Sequence, residues 1–122
     1  MAGKSILQQK SFDFAIEVVA AYKYLVELEK EFVLSKQLLR SGTAVGALVR
    51  EAQNAESKPD FIHKLSIAQK ETDESLYWLD LLSQSGYLES PQYEGLRDNA
   101  DGLLRMLRSS IITTREKYIS NK

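Results

Sequence analysis

The sequence predicts an all-α protein, an antiparallel up-down-up-down four-helix bundle, from three observations. Apolar residues recur at alternating spacings of three and four along most of the chain, which is the period of an amphipathic helix. Turn signals divide this pattern into four stretches. The connections are short, so successive helices should be antiparallel neighbours. We expect one domain, residues 1–122, with helices over about 11–29, 34–56, 59–83 and 91–118.

Composition narrows the class of protein. A chain of 122 residues is long enough for one domain with a core and too short for two. It contains no cysteine, which excludes a disulfide framework and a thiolate metal site and fits a reducing cytoplasm. The net charge is −1, so binding to nucleic acid would need a local basic patch. No apolar run approaches the length of a membrane span, so we expect no membrane partner.

The first predicted helix has an unusually wide apolar face made of two stripes. One stripe is Phe14, Val18, Ala21, Leu25 and Leu28, and the other is Phe12, Ala15, Val19, Tyr22 and Val26. Together they cover roughly half of the circumference, which is more than one neighbouring helix hides. Either two bundle neighbours cover this face, or part of it meets another subunit.

The second predicted helix carries two glycines on one face, Gly42 and Gly46. Two glycines cost about 2 kcal/mol of helix propensity relative to alanine. Close approach of another backbone is the usual reason for such a cost, and simple tolerance is the alternative. We assign this smooth face to contact with another copy of the chain.

Turn chemistry marks the later helices. Ser57 precedes Lys58-Pro59-Asp60, a sequence typical of a helix start in which serine caps and proline occupies the first turn. Gly86 suits the left-handed cap that ends the third helix. Ser90-Pro91 then begins the fourth.

The outward face of the third helix should be polar but carries Ile67, Trp78 and Leu81 among charged residues. Large apolar groups interleaved with charges are typical of a protein–protein contact, and tryptophan is a favoured anchor. The alternative is that Trp78 lies flat on the fourth helix. We therefore predict a homo-oligomer, and its expected interface residues are Gly42, Gly46, Ile67, Glu71, Glu74, Trp78 and Leu81.

Four arginines of the last helix fall within about 80° of one another, namely Arg97, Arg105, Arg108 and Arg115. Residues 97–122 contain six basic and three acidic residues, a net charge of +3. Such a stripe can bind phosphates bidentately, so these residues are candidate contacts to RNA or DNA. The alternative is a solvated face that makes salt bridges.

Catalytic and metal motifs are missing from the sequence. The di-iron sites of four-helix bundles use two Glu-x-x-His motifs, whereas His63 is the only histidine and no glutamate precedes it by three residues. The segment 41–46 lacks the lysine of a phosphate-binding loop and lies within a helix. We expect no enzyme, no metal, no cofactor and no small-molecule substrate.

A run of moderately specific residues lies within 34–82. It comprises Leu34-Ser35-Lys36-Gln37-Leu38-Leu39-Arg40-Ser41-Gly42-Thr43, Glu51, Ser57, Asp60-Phe61, Leu65-Ser66-Ile67-Ala68, Glu71, Glu74 and Trp78-Leu79. This run resembles the four-helix-bundle family encoded in intervening sequences of bacterial large-subunit (23S) ribosomal RNA genes. The accessory variability proteins of diversity-generating retroelements have a similar fold.

The resemblance implies a cytoplasmic bacterial protein, a homopentameric ring, no known enzymatic activity and a role that is uncharacterised. The retroelement relatives add the expectation of nucleic-acid contact through basic surfaces. Two functions therefore remain open. The first is a non-enzymatic oligomeric scaffold that contacts RNA or DNA through its arginine stripe. The second is a protein–protein interaction scaffold that binds no nucleic acid.

Overall fold

The protein forms a bundle of α-helices, shown by a computed structural model that describes residues 5–120. Within this range the helices are α1 (Ile6–Glu27), α2 (Leu34–Gln53), α3 (Lys58–Gln84) and α4 (Ser90–Ser120). Each helix packs on the next, and α4 closes the bundle against α1 with the smallest contact. Hence α1 and α3 lie diagonally across the bundle. The predicted all-α antiparallel four-helix bundle is confirmed.

Helix ends follow local hydrogen bonds. α1 begins at Ile6 rather than near Ser11, because the Ser5 hydroxyl accepts a hydrogen bond from the Gln8 backbone N–H. The start of α3 follows the sequence signal, since the Ser57 hydroxyl accepts from the Asp60 N–H at 3.2 Å. Gly86 follows the C-cap of α3 with a positive φ of 86°, as a left-handed glycine should. α2 ends at Gln53, before the expected Glu56.

The core buries most of the first apolar stripe of α1, apart from the exposed Leu28, and covers the second stripe only in part. Phe14, Val18 and Leu25 are almost completely buried. Phe12 and Val19, from the second stripe, remain 46% and 37% exposed. The neighbouring helices α2 and α4 therefore do not cover the whole apolar face of α1. The interpretation that two bundle neighbours cover this face is wrong for Phe12 and Val19.

Gly42 and Gly46 let α1 pack closely on α2. A Cβ atom on Gly42 would lie 2.7 Å from Cγ2 of Val18, and one on Gly46 would lie 3.2 Å from the backbone oxygen of Ser11. The sequence correctly indicates a close approach at these glycines, by the Val18 side chain at Gly42 and by the Ser11 backbone at Gly46, but the approaching helix is α1 of the same chain. The reason for assigning them to an interface between copies therefore no longer applies, and Gly42 is buried.

Glu31 organises the connection between α1 and α2. Its carboxylate accepts hydrogen bonds from the backbone N–H groups of Val33, Leu34 and Ser35 at 3.1, 2.9 and 2.6 Å. The Ser35 hydroxyl donates back to the Glu31 carbonyl oxygen at 2.8 Å. Burial opposes ionisation of Glu31, but these backbone hydrogen bonds outweigh it and lower the pKa of the carboxyl below its ordinary value. Glu31 thus caps α2 as a carboxylate.

Replacing Glu31 with glutamine should lower the free energy of unfolding by about 1–2 kcal/mol at pH 7, because the charged cap is lost. The folded-state pKa lies below the unfolded one, so the stabilisation is present above the unfolded pKa and disappears as pH falls through the folded pKa. Urea unfolding of both proteins at neutral and acidic pH measures this. The exposed Glu27→Gln serves as control, and equal stability of Glu31→Gln and wild type at pH 7 would refute the capping role.

Adding a methyl group at Gly42 should destabilise the bundle by about 1–3 kcal/mol, because the buried, β-branched Val18 has no space to move into. Gly95→Ala on α4 should instead stabilise by about 0.5–1 kcal/mol, since nothing lies within 4 Å of its Cβ position. Thermal unfolding of both variants tests this packing. The double variant Gly42→Ala/Val18→Ala is included because the smaller side chain at position 18 relieves the clash with the new methyl group. A neutral Gly42→Ala would contradict it.

Candidate interaction surfaces

An aromatic ridge, here defined as Tyr77, Trp78 and Leu81, runs along the outside of α3. Trp78 is half-buried, and its Nε1–H donates to Oε2 of Glu74 at 3.1 Å. Tyr77 is 58% exposed and meets the Trp78 ring edge-on, with 4.9 Å between the ring centroids. Glu74 is in turn bound by Arg40 of α2, so Trp78 lies on the α2 side of α3. The alternative that Trp78 lies flat on α4 is therefore wrong.

Glu71 and Glu74, which the sequence places in an interface between copies, share Arg40 of their own chain. Arg40 Nη1 lies 3.5 Å from Oε1 of Glu71, and Nη2 makes a short hydrogen bond to Glu74. The hydrogen bond from Trp78 and the one from Arg40 lower the pKa of Glu74 despite its partial burial. Two carboxylates facing one guanidinium leave this cluster with a negative charge.

Arg40 is a member of this cluster that sequence reasoning did not assign. Opposite charges on facing sides of two antiparallel neighbours are the available signal. Oε1 of Glu71 is a buried oxygen that receives no hydrogen bond from residues 5–120, so Arg40 satisfies it only as an ion pair. Ile67 is half-buried on the same side of α3, as its spacing from Glu71 and Trp78 predicts.

Arg97 behaves as the salt-bridge alternative predicts. Its guanidinium donates to Asp80 of α3 at 2.7 Å and lies 3.8 Å from Asp101. The hydroxyl of Tyr93 donates to the same Asp80 oxygen at 2.6 Å. The charge of Asp80 is the main reason that the pKa of Arg97 is raised. Arg97 therefore joins α4 to α3. Because Asp80 and Asp101 already neutralise its charge, it is a poor candidate for a phosphate contact.

The other three arginines are exposed, and no salt bridge joins them to any of residues 5–120. They do not form one surface. Arg105 borders the groove between α1 and α4, which is also lined by Asp13, Glu17 and Asp98. Arg108 and Arg115 face the α3 side, where Arg108 lies beside Lys70 and Asp73, and Arg115 lies beside His63. The basic character of α4 is thus concentrated around Arg108 and Arg115.

A third surface, the α1 patch, consists of Phe12, Ile16 and Val19. Ile16 is 55% exposed at its centre. A groove of about 460 Å³ runs beside it between α1 and α2, and its lining includes the small residues Ala15 and Gly46 and the charged residues Arg50 and Glu51. The sequence analysis identified the wide apolar face of α1 but did not assign Ile16 to any site. The signal was present, because Ile16 continues the spacing of three and four between Phe12 and Val19.

No helix within residues 5–120 combines the length and the apolar character needed to cross a bilayer.

Comparison with known proteins identifies the family. Residues 4–109 match the family model described as 23S rRNA-intervening sequence protein. A crystal structure from Bacteroides thetaiotaomicron, of a protein with unknown function from the S23 ribosomal protein family, is similar with 47% sequence identity and a TM-score of 0.86. The similarity covers 87% of this chain and 98% of that one. The search of curated proteins gave no match. The predicted resemblance is confirmed: the chain belongs to the 23S rRNA-intervening sequence protein family.

Proposed function

We propose that this protein is a non-enzymatic, homo-oligomeric scaffold. The observation that carries the proposal is the exposure of the α1 patch and of Tyr77 on the aromatic ridge of α3, where Trp78 and Leu81 are half-buried. Contiguous exposed apolar groups rimmed by polar residues are typical of interaction sites. Burying one large apolar side chain completely is worth about 1.5–3 kcal/mol, so an assembly that covers both surfaces gains several such contributions.

The ionisable groups support binding rather than catalysis. Four of the groups with shifted pKa values serve the fold: Glu31 caps α2, Glu74 and Arg40 join α3 to α2, and Arg97 joins α4 to α3. We take the number of copies from the family resemblance described above, which implies a pentamer. A cytoplasmic location belongs to the same expectation.

Contact with RNA or DNA is the second part of the proposal. Arg108 and Arg115 are exposed and have no salt-bridge partner in residues 5–120, and near Arg108 the positive charge of Lys70 stands beside the negative charge of Asp73. Repetition of this surface in an oligomer would multiply weak phosphate contacts. The competing function is a protein–protein interaction scaffold that binds no nucleic acid. It is favoured by the pairing of Arg97 and by the acidic surroundings of Arg105.

Trp78→Ala should weaken assembly, because the ridge loses its largest apolar side chain. Sedimentation at micromolar concentration measures this, with the wild type as an oligomer and the variant shifted towards monomer. The exposed His63→Ala is the control, and circular dichroism confirms that each variant keeps its helices. A monomeric wild type at this concentration would overturn the oligomeric scaffold.

Arg108→Glu should reduce binding to structured RNA more strongly than the matched change Arg105→Glu, because Arg105 already lies among carboxylates. Binding is measured by fluorescence anisotropy from about 50 mM salt upwards, where affinity should fall steeply as phosphate contacts are screened. Absence of binding at the low-salt end would leave only the interaction scaffold. Equal losses for the two variants would mean that the α3 side of α4 is not the contact surface.

A further inference from the structure

Two neighbouring hollows between α3 and α4 form one continuous groove. The first hollow, at the start of α3, is lined by residues that include His63, Ser66, Arg115 and Tyr118. The second lies further along α3, and its lining includes Ser66, Lys70, Asp73 and Arg108. Each has a volume of about 460 Å³, and Ser66 belongs to both. From Pro59 to Asp73 this α3–α4 groove follows α3 for about 20 Å.

Basic side chains stand on both walls of the α3–α4 groove. His63 and Lys70 of α3 are seven residues apart, as are Arg108 and Arg115 of α4, so two basic pairs follow one another about 10 Å apart. Lys70, Arg108 and Arg115 are exposed, and none has a salt bridge within residues 5–120. Asp73 is the acidic residue of the lining. Three cations against this one carboxylate leave a net charge of +2 with His63 neutral.

Other carboxylates near these cations do not line the groove. Glu74, four residues after Lys70, is bound by Arg40 on the α2 side of α3. Glu116 follows Arg115 but lies about 100° further round α4 and lines neither hollow. The groove between α4 and α1 has the opposite balance, since three carboxylates face two cations there. Of the two long grooves beside α4, the α3–α4 groove is therefore the one that attracts an anion.

The α3–α4 groove also offers an aromatic ring and free hydrogen-bonding capacity. Tyr118 is half-buried in the first hollow, beside the exposed His63. The Ser66 hydroxyl donates to the Ile62 carbonyl oxygen at 2.8 Å, so its own oxygen can still accept. The side-chain amide of the half-buried Gln69 makes no hydrogen bond within residues 5–120. Nucleobases stack on such rings, and hydroxyl and amide groups bind the ribose 2′-hydroxyl.

We propose that the α3–α4 groove binds a single strand of RNA, an inference that rests on the nucleic-acid contact proposed above. The phosphates lie against the two basic pairs, a base stacks on Tyr118, and ribose hydroxyls reach Ser66 and Gln69. A length of about 20 Å holds roughly six stacked nucleotides at about 3.4 Å each. Packed helices are only about 8–10 Å apart, whereas the major groove of a duplex alone is about 12 Å wide, so a duplex does not enter.

The first hollow depends on the last turns of α4. Arg115, Tyr118 and Ile119 come after residue 109, where the match to the family model ends. The matched part of the bundle supplies the α3 wall and the second hollow. The aromatic ring and one of the two basic pairs are therefore completed by a part of this chain that the family match does not cover.

Fluorescence anisotropy of the full chain with a labelled oligouridine of about ten nucleotides tests the proposal. Arg115→Ala should weaken binding about tenfold at about 50 mM salt and lower the slope of log affinity against log salt by about 0.7, the loss of one phosphate contact. Lys117→Ala is the matched control and should bind like the wild type. Lys117 is also exposed and only two residues away, but it lines a separate hollow with Lys58 at the end of the bundle.

A second pair of variants tests the stacked base. Tyr118→Leu should weaken binding about tenfold, because it removes the ring but keeps an apolar side chain of similar reach. Tyr118→Phe keeps the ring and should keep the affinity. Circular dichroism and thermal unfolding establish that each variant is folded.

The outcomes separate this inference from the proposed function. Equal losses for Arg115→Ala and Lys117→Ala, or wild-type binding by Tyr118→Leu, would overturn the groove as the site and leave nucleic-acid contact standing. Duplex RNA, or a DNA strand of the same length, that binds as tightly as the RNA strand would overturn the assignment to single-stranded RNA. An acidic peptide of equal charge that binds as tightly would do the same, since the groove would then select charge alone. Absence of all binding at about 50 mM salt would overturn the nucleic-acid contact together with this inference.

Discussion

The packing of α1 against α2 at Gly42 and Gly46 sets the shape of this bundle. Because these glycines have no side chain, Val18 and the backbone at Ser11 approach α2 directly. Close approach gives α1 a narrow buried face, centred on Phe14, Val18 and Leu25. Phe12, Ile16 and Val19 of the same helix stay on the outside. The exposed α1 patch thus follows from the orientation in which α1 packs on α2. The cost of two glycines in a helix is offset by contacts within one chain.

Much of the fold could be predicted because its signals are local. Helical periodicity, the Ser57 cap and the left-handed Gly86 each depend on residues close in sequence. The roles of Glu31 and Arg40 could not be predicted in the same way. Glu31 caps α2 only because the connection folds back on its carboxylate, and Arg40 meets its carboxylates across two helices. The start of α1 at Ile6 differs from the predicted start at about residue 11, because it depends on the Ser5 cap, which the periodic pattern does not reveal.

The candidate surfaces show the same difference between signals that are local in sequence and contacts that form between helices. Sequence spacing correctly grouped Trp78 with Glu71 and Glu74, but their charges are partly satisfied by Arg40 of the same chain. The arginines of α4 were grouped by angle alone. Their surroundings, which the sequence does not reveal, separate Arg97 and Arg105 from Arg108 and Arg115. What remains after pairing within the chain is the exposed α1 patch and the partly exposed aromatic ridge of α3, which is why other copies of the chain are the partners that we propose.

The most direct test of this account uses Trp78, the single tryptophan of the chain, as a reporter of its own surroundings. Its fluorescence emission and its quenching by acrylamide are followed as the protein is diluted from micromolar to nanomolar concentration. If other copies cover the ridge, Trp78 should be shielded at high concentration, and its emission should move to longer wavelength with stronger quenching on dilution. Emission and quenching that do not change with concentration would contradict the account.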